Sequence, residues 1–248
     1  MKTVIIEGIA LQQYASGEQD RRVLVFTREY GVLWILARGI RKINSKRRNL
    51  VSPLVKSSLQ LYQNRFGFHL QQGEIIYAPV NIYQDVLALT RTIELVEILS
   101  KILPENLPEP QVFDLLDLLL HRVDEKTKES YRYFLVFKCK LLQLLGFAPQ
   151  LDCCTLCGSK KMQDMYLVME NGALLCVDCQ QKQKYLLFLP ATFLHLWQSL
   201  ANNTGSDFLR LEHDESIWNA LNEKVNIYFQ YILESNIQSS KIIKMMER

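Results

Sequence analysis

Residues 22–37 read RVLVFTREYGVLWILA, and this stretch decides the fold of the first part of the chain. It contains two apolar runs, Arg22–Thr27 and Val32–Ala37, separated by a tight turn at Glu29-Tyr30-Gly31. Short runs that are rich in Val, Ile, Leu and Phe and bounded by polar turn residues are typical of β-strands. The stretch therefore predicts two strands joined by a short connection.

Three further strand-like runs lie in the first 80 residues, at 3–11, 59–62 and 66–76. Five short strands in so short a segment favour a closed barrel over an open sandwich, because closure removes unpaired strand edges. The five-stranded OB barrel has about this size, and an SH3-like barrel fits the pattern nearly as well. We predict a barrel domain at 1–79.

The pattern changes after Pro79. Apolar residues then recur at helical spacing up to Pro104. Later helical segments are predicted at 112–120, 130–145, 192–200 and 214–234. We predict that residues 80–248 form a helical domain that packs as a bundle.

Two Cys-x-x-Cys pairs interrupt the helical pattern. Cys154-Thr155-Leu156-Cys157 is followed, 18 residues later, by Cys176-Val177-Asp178-Cys179. Zinc prefers four tetrahedral ligands of this kind, and Asn171-Gly172 between apolar runs predicts a two-residue hairpin turn that returns the second pair to the first. The spacing predicts a structural zinc ion in a ribbon at about 150–182. The predicted ligands are Cys154, Cys157, Cys176 and Cys179.

The remaining cysteines leave one question open. Cys153 is an alternative first ligand because it is adjacent to Cys154, whereas Cys139 reads as a buried helix residue. A redox dithiol is the competing interpretation, but it needs only one pair. The expected fold class is α+β multidomain, with an N-terminal five-stranded OB-type β-barrel and then an α-helical domain with an inserted four-cysteine zinc ribbon.

Positive charge is concentrated near the N-terminus. Residues 1–80 contain 12 Lys/Arg and five Asp/Glu, although the formal net charge of the whole chain is only +3. Within them, segment 38–48, RGIRKINSKRR, has six basic residues and no acid. A basic run is often only a solvated loop, but on an OB barrel it predicts salt-sensitive binding of nucleic acid with little sequence preference. The predicted DNA-binding residues are Arg21, Arg22, Arg38, Arg41, Lys42, Lys46, Arg47 and Arg48.

Aromatic residues occur throughout the same domain, and some could stack on bases. Core packing is the simpler interpretation for most of them, and for Phe26 and Trp34 especially.

Recognised catalytic motifs are missing from the sequence. It contains no Gly-x-x-x-x-Gly-Lys-Ser/Thr phosphate loop, no His-Glu-x-x-His and no Gly-x-Ser-x-Gly. We therefore predict a protein that is not an enzyme, with a magnesium nuclease as a distant alternative. No apolar run approaches the ~18 residues of a membrane span, and the N-terminus lacks a signal-peptide pattern, so we expect a cytoplasmic protein without membrane association.

The chain resembles the bacterial RecO family of recombination mediator proteins. The likeness includes Ala37–Arg41 and, most specifically, Gly146–Gly158, which leads into the first cysteine pair. The resemblance implies an OB-fold domain, a helical domain and zinc in members that keep four cysteines. It also implies binding of single- and double-stranded DNA and annealing of complementary strands without nucleotide hydrolysis.

Partners are also implied by this resemblance alone. With RecR, RecO-like proteins help load RecA onto DNA coated by single-stranded-DNA-binding protein, whose acidic C-terminal tail is a further partner. We thus expect a nucleoid-associated DNA repair and homologous recombination mediator of the RecF pathway. Two other classes stay open. An RNA-binding OB-barrel protein would prefer structured RNA, and an interaction adaptor would bind no DNA at physiological salt.

Overall fold

The computed structural model describes residues 2–42, 45, 47–161, 163–202 and 207–234. The chain divides after Thr127 into two compact units. In the described residues, the first unit contains a five-stranded barrel and three α-helices, and the second contains three α-helices and a small sheet. The boundary after residue 79 that the sequence suggested stays a prediction about the domain limits.

Five strands form the closed barrel, in the order β1-β2-β3-β5-β4. Neighbouring strands are antiparallel except β3 and β5, which are parallel where Ile35 and Leu36 pair with Phe68 and His69. This order and this parallel pair are those of an OB-type barrel, so that prediction is confirmed and the SH3-like alternative is not. The strands are β1 (Lys2–Ser16), β2 (Asp20–Thr27), β3 (Gly31–Ala37), β4 (Lys56–Asn64) and β5 (Gly67–Tyr77).

The barrel core is built from alternate residues of each strand, because successive side chains point to opposite faces. Val25 and Ile35 are fully buried inside it. The connection between β3 and β4 also contributes to the core through Ile40, Leu50 and Val51. Full burial of one such side chain is worth about 1.5–3 kcal/mol. The basic segment is therefore anchored in the barrel at both ends.

Three helices complete the first unit: α1 (Asn81–Gln84), α2 (Val86–Ile102) and α3 (Pro110–Glu125). The predicted single helical run up to Pro104 is broken at Asp85, whose extended backbone separates α1 from α2 and whose side chain accepts a hydrogen bond from Ala88 N. The ring of Phe113 on α3 lies 5.5 Å from that of the fully buried Phe26, which confirms the core role of Phe26.

The second unit consists of α4 (Ser130–Leu144), β6 (Met165–Val168), β7 (Leu174–Cys176), β8 (Leu186–Leu189), α5 (Ala191–Asn202) and α6 (Glu215–Ile232). Lys138 on α4 is fully buried, and its Nζ donates to Asn222 Oδ1 at 2.9 Å and to Asn226 Oδ1 at 2.8 Å on α6. These hydrogen bonds offset the cost of burying an ammonium group. The sequence did not lead us to expect β8, which pairs with β6.

The β6–β7 hairpin turn differs from the predicted two-residue turn. Val168 N donates to Ala173 O, and Gly172 N donates back to Val168 O, so the loop contains the four residues 169–172. Gly172 has a φ of 69°, but Asn171 does not have a positive φ. A two-residue Asn-Gly turn of type I′ requires a positive φ at both positions. The hairpin was therefore correctly predicted and its turn was not.

None of the helices among the described residues is both long enough and apolar enough to cross a membrane.

Candidate metal centre and nucleic-acid interface

The two Cys-x-x-Cys turns face each other. The Sγ atoms of Cys154, Cys157, Cys176 and Cys179 all lie within 4.8 Å of one another. Cys176 ends β7, and the first turn is tied to the same strand because Thr155 N donates to Leu174 O at 2.8 Å. The structure thus brings together the four residues that the sequence predicted.

The spacing of the sulfur atoms suits a tetrahedral ion. Four metal–sulfur bonds of ~2.3 Å at tetrahedral angles separate the sulfur atoms by about 3.8 Å. The Sγ atoms of Cys157 and Cys176 are 3.8 Å apart. The cluster could therefore hold a metal ion, and four thiolates would close its coordination shell with no position left for a substrate.

Backbone amides favour a thiolate at Cys154. Desolvation raises the pKa of this buried thiol, but N–H donors of Cys157, Cys176 and Leu156 outweigh it and lower the pKa to about 6. Gly158, with a φ of 70°, allows the chain to turn back so that its N–H reaches Cys154 O. Because the thiolate is the form that binds metal, the local backbone prepares this ligand.

The two other cysteines lie elsewhere. Cys153 is half-buried and is not a member of the cluster, so the geometry favours Cys154 as the first member. Cys139 is buried on α4, and burial raises the pKa of its thiol to about 12 despite the neighbouring Lys138 and Lys140. A thiol with so high a pKa is unreactive at neutral pH.

The connection between β3 and β4 carries most of the predicted DNA-binding residues, and we call residues 38–48 the basic loop. Its start is tied to the turn between β1 and β2. Gly39 N donates to the Asp20 carboxylate at 2.7 Å, and Arg41 N donates to Gln19 O at 3.0 Å. Asp20 is thereby used to hold the loop in place.

Three arginines of the basic loop donate to backbone carbonyls, and Arg41 does so from Nη1 to Gly17 O at 3.4 Å. Arg47 Nη1 donates to Leu70 O at 3.2 Å and to Gln71 O at 3.1 Å, while its Nη2 donates to Arg38 O at 2.9 Å. Arg48 Nη2 donates to the carbonyls of Arg41 and Lys42 at 3.1 and 3.0 Å. These side chains join the loop to β5 and to itself, a role that a count of basic residues does not reveal.

Several members of the loop also present their side chains to solvent. Arg38, Arg41 and Lys42 are exposed. Lys46, also predicted to bind DNA, lies outside the described residues. A cavity of about 350 Å³ opens beside the loop, and Arg21, Arg41 and Arg48 are among its lining residues, none of which is acidic. The described part of the loop therefore combines exposed cations with a concave cationic surface.

Gln13 on β1 is a site residue that the sequence did not reveal. Its Nε2 donates to Val51 O, and its Oε1 accepts from Arg21 Nη1 at 2.9 Å. Gln13 thus fixes the Arg21 guanidinium at the edge of the cavity. No local pattern marks such a residue, because its role depends on β1 pairing with β2.

Arg22 lies on the outer face of the barrel. Its guanidinium carbon is 4.7 Å from the ring centroid of Trp34, and the ring of Tyr14 lies 5.7 Å from that of Trp34. Trp34 Nε1 donates to Glu105 Oε1 at 2.8 Å. The prediction that Trp34 belongs to the core is wrong, because the neighbouring positions 33 and 35 point inward and turn residue 34 outward.

A closed OB-type barrel, followed by helices and a ribbon of four clustered cysteines, defines a multidomain OB-barrel protein with a candidate metal centre. Family models for the N-terminal and C-terminal parts of recombination protein O match residues 1–79 and 83–241. The chain belongs to the RecO family of DNA repair proteins.

Individual relatives agree with this assignment. Over 181 residues the chain is 32% identical to the DNA repair protein RecO of Bacillus pumilus. The aligned region covers 73% of this chain and 70% of that protein. The chain is 30% identical over 182 residues to RecO of a Thermoanaerobacter species, with 73% of each chain covered. RecO of Listeria monocytogenes is 25% identical over 246 residues, or 98% of this chain and 94% of its own length.

Proposed function

We propose that this protein binds single- and double-stranded DNA through the barrel and the basic loop, and that it anneals complementary strands without nucleotide hydrolysis. The observation that carries the proposal is the continuous acid-free stretch from Gly31 to Gly73, which contains eight basic residues and forms the loop together with β3, β4 and most of β5. Membership of a family of DNA repair proteins makes DNA the expected polyanion.

The proposed mechanism is electrostatic. Side chains of Arg38, Arg41 and Lys42 neutralise phosphates, and the cations lining the cavity hold a phosphate at the end of the barrel. Two strands bound in this way repel each other less and can meet, and the base pairing that follows supplies the free energy of annealing. Contacts to phosphates carry no sequence information, so we expect little sequence preference.

The cysteine cluster is proposed to hold one structural zinc ion through Cys154, Cys157, Cys176 and Cys179. The spacing of the sulfur atoms supports this assignment. Metal binding at such sites is coupled to folding, so zinc would stabilise the ribbon and contribute no chemistry to annealing.

The remaining parts of the proposal rest on the family. We propose that the protein acts in the RecF pathway, in the cytoplasm and near the nucleoid, and that it is not an enzyme. With RecR it would help load RecA onto DNA coated by single-stranded-DNA-binding protein, and it would contact the acidic tail of that coat protein.

The test compares DNA binding and annealing at rising salt for the natural protein and for Arg38→Ala/Lys42→Ala. These two side chains are exposed, so their removal should leave the fold intact. Each lost phosphate contact reduces the steepness of log K against log salt by about 0.7 for a single strand. The steepness should therefore be smaller by roughly 1.4 in the double variant, which should also anneal more slowly.

A matched control is Lys160→Ala/Lys161→Ala, which removes the same charge from exposed positions of the second unit. It should leave the slope unchanged if the basic loop is the interface. Equal effects of both variants would contradict the proposal, and so would tighter binding of structured RNA than of single-stranded DNA.

A further inference from the structure

We infer that the tip of the β4–β5 hairpin, Arg65-Phe66, is a stacking site for one unpaired base of a nucleic acid. This inference rests on the proposed function and adds a residue that selects single strands. Phe66 is 76% exposed, which makes it the most exposed large apolar side chain in the described part of the chain. An apolar ring so open to water at the tip of a hairpin has no role in core packing.

The hairpin holds the backbone at Phe66 in place. Asn64 and Gly67 are paired, so the loop has only the two residues Arg65 and Phe66. Asn64 Oδ1 accepts hydrogen bonds from Phe66 N at 2.7 Å and, at 3.1 Å, from the Nε2 of His69 when that nitrogen carries the proton. Gly67 adopts a φ of 112°, which a residue with a side chain reaches only under strain. A short, braced loop loses little entropy when a ligand binds to it.

Arg65 lies over one face of the ring, and the high exposure of Phe66 leaves room for a ligand. Its guanidinium carbon lies 4.6 Å from the centroid of the Phe66 ring. A cation in this position is attracted by the ring and fixes its orientation. The same charge favours the phosphate next to a stacked base. The pair is thus suited to a planar, electron-rich group attached to an anion, which is the description of a nucleotide.

The tip is continuous with the basic loop. Strand β5 leads from Phe66 to Leu70, whose carbonyl accepts from Arg47. At 3.3 Å per residue the tip lies about 13 Å from that contact. This distance corresponds to about four nucleotides at the 3.4 Å spacing of one strand, within the site sizes known for OB folds. The segment from Gly31 to Gly73, which includes the loop and the tip, contains no Asp or Glu of its own.

A base can stack on Phe66 only if it is not already stacked within a duplex. The tip should therefore add affinity for single strands and none for double strands, in contrast to the charges of the basic loop, which act on both. A loss of affinity for single strands alone would therefore support the inference, because general loss of binding or of folding would affect double strands as well.

The test measures dissociation constants of the natural protein, Phe66→Ala and Phe66→Trp for a thymine oligonucleotide of about 10 nucleotides. It includes an abasic strand of equal length and a duplex. Phe66→Ala should bind the thymine strand about tenfold more weakly, within the range for one stacked base. It should bind the duplex and the abasic strand as the natural protein does, and its salt slope should not change. Phe66→Trp, which keeps an aromatic face, should restore the affinity.

Ile5→Ala is the matched control, since Ile5 is the other strongly exposed apolar side chain of the barrel, at 73%. It should change none of the three constants. If Phe66→Ala binds the thymine strand as tightly as the natural protein, or loses the same factor on the duplex, the inference is overturned while the proposed function stands. If the natural protein binds none of these ligands at low salt, the proposed function itself fails.

Discussion

The cysteine ribbon and the basic loop differ in how far the roles of their residues can be predicted from residue spacing. In the ribbon, each of the four predicted cysteines lies in the cluster, and each can have only one role there. In the basic loop, residues of one type have different roles. Arg47 and Arg48 donate to backbone carbonyls, whereas Arg38 and Lys42 extend into solvent.

The difference follows from the chemistry of the two sites. A metal ion demands four sulfur atoms at fixed separations, so the sequence must supply Cys-x-x-Cys turns and a hairpin between them. Phosphate binding demands only positive charge at approximate positions. A guanidinium can therefore either hydrogen-bond within the loop or contact a phosphate. The spacing of cysteines predicts which residues could bind a metal ion, whereas a run of basic residues predicts only which surface could bind phosphates.

Removal of one cysteine should produce the largest effect. Binding of structural zinc contributes an apparent ~10–16 kcal/mol in small zinc domains, so Cys176→Ser should lose the metal and unfold the ribbon. Metal analysis should fall from about one zinc per chain to none. Amide hydrogen exchange in β6 and β7 should rise strongly, while exchange in the barrel strands should stay unchanged.

Cys153→Ser is the control for that experiment because Cys153 lies outside the cluster. It should retain zinc and the protection of β6 and β7. Loss of metal in Cys153→Ser, or full ribbon protection in a zinc-free Cys176→Ser variant, would break the contrast between the two sites.

The second prediction separates the two kinds of arginine in the basic loop. Arg47→Ala removes three hydrogen bonds from a charged donor, so we expect the free energy of unfolding of the barrel to fall by about 2 kcal/mol. Arg38→Ala removes an exposed side chain and should change stability by less than about 0.5 kcal/mol while it weakens DNA binding. Hydrogen exchange in β3 and β5 measures the stability, and a salt titration measures the binding.

Arg47→Lys sharpens this comparison. It preserves the charge but lacks the planar fork that reaches three carbonyls, so it should lose stability and keep most of the salt slope. If Arg47→Lys were as stable as the natural protein, the hydrogen bonds of Arg47 would not hold the loop, and the distinction between the arginines would disappear.

Local patterns sufficed for most of the fold. The strand runs around Val25 and Ile35 and the helical periods around Leu141 reflect alternation and spacing that single elements impose. What escaped depended on distant partners. Strand β8 is recognisable only through its pairing with β6, and Trp34 faces outward because its neighbours fill the barrel.

The basic loop shows the same limit. Its position between β3 and β4 and its charge were evident from the sequence, but the targets of Arg47 are carbonyls of Leu70 and Gln71, more than 20 residues away. That the two cysteine pairs come together was predicted correctly because their spacing restricts the answer, while the choice between Cys153 and Cys154 required the positions of the sulfur atoms.

The smallest predicted effect concerns His69, a buried residue of β5 that senses the charge of the basic loop. Burial lowers the pKa of His69 below its ordinary value of 6.5, and the nearby Arg38 lowers it further. Its Nε2 is 3.1 Å from Asn64 Oδ1, and within the described residues Nδ1 has no hydrogen-bond partner, so protonation would bury an unsatisfied N–H.

Because the folded pKa lies below the unfolded one, the unfolded chain binds the proton first as pH falls through about 6.5. The free energy of unfolding should therefore decrease below this pH until the folded pKa is reached, by at most about 1.4 kcal/mol for each pH unit between the two values. Hydrogen exchange of β5 at a series of pH values, corrected for intrinsic rates, measures the loss. His69→Gln should abolish it, and Arg38→Ala should reduce it. A pH dependence that survives in His69→Gln would mean that another group is titrating. An unchanged dependence in Arg38→Ala would show that the exposed charges of the basic loop act on solvent and ligands alone. The contrast between the basic loop and the cysteine ribbon would then be sharper.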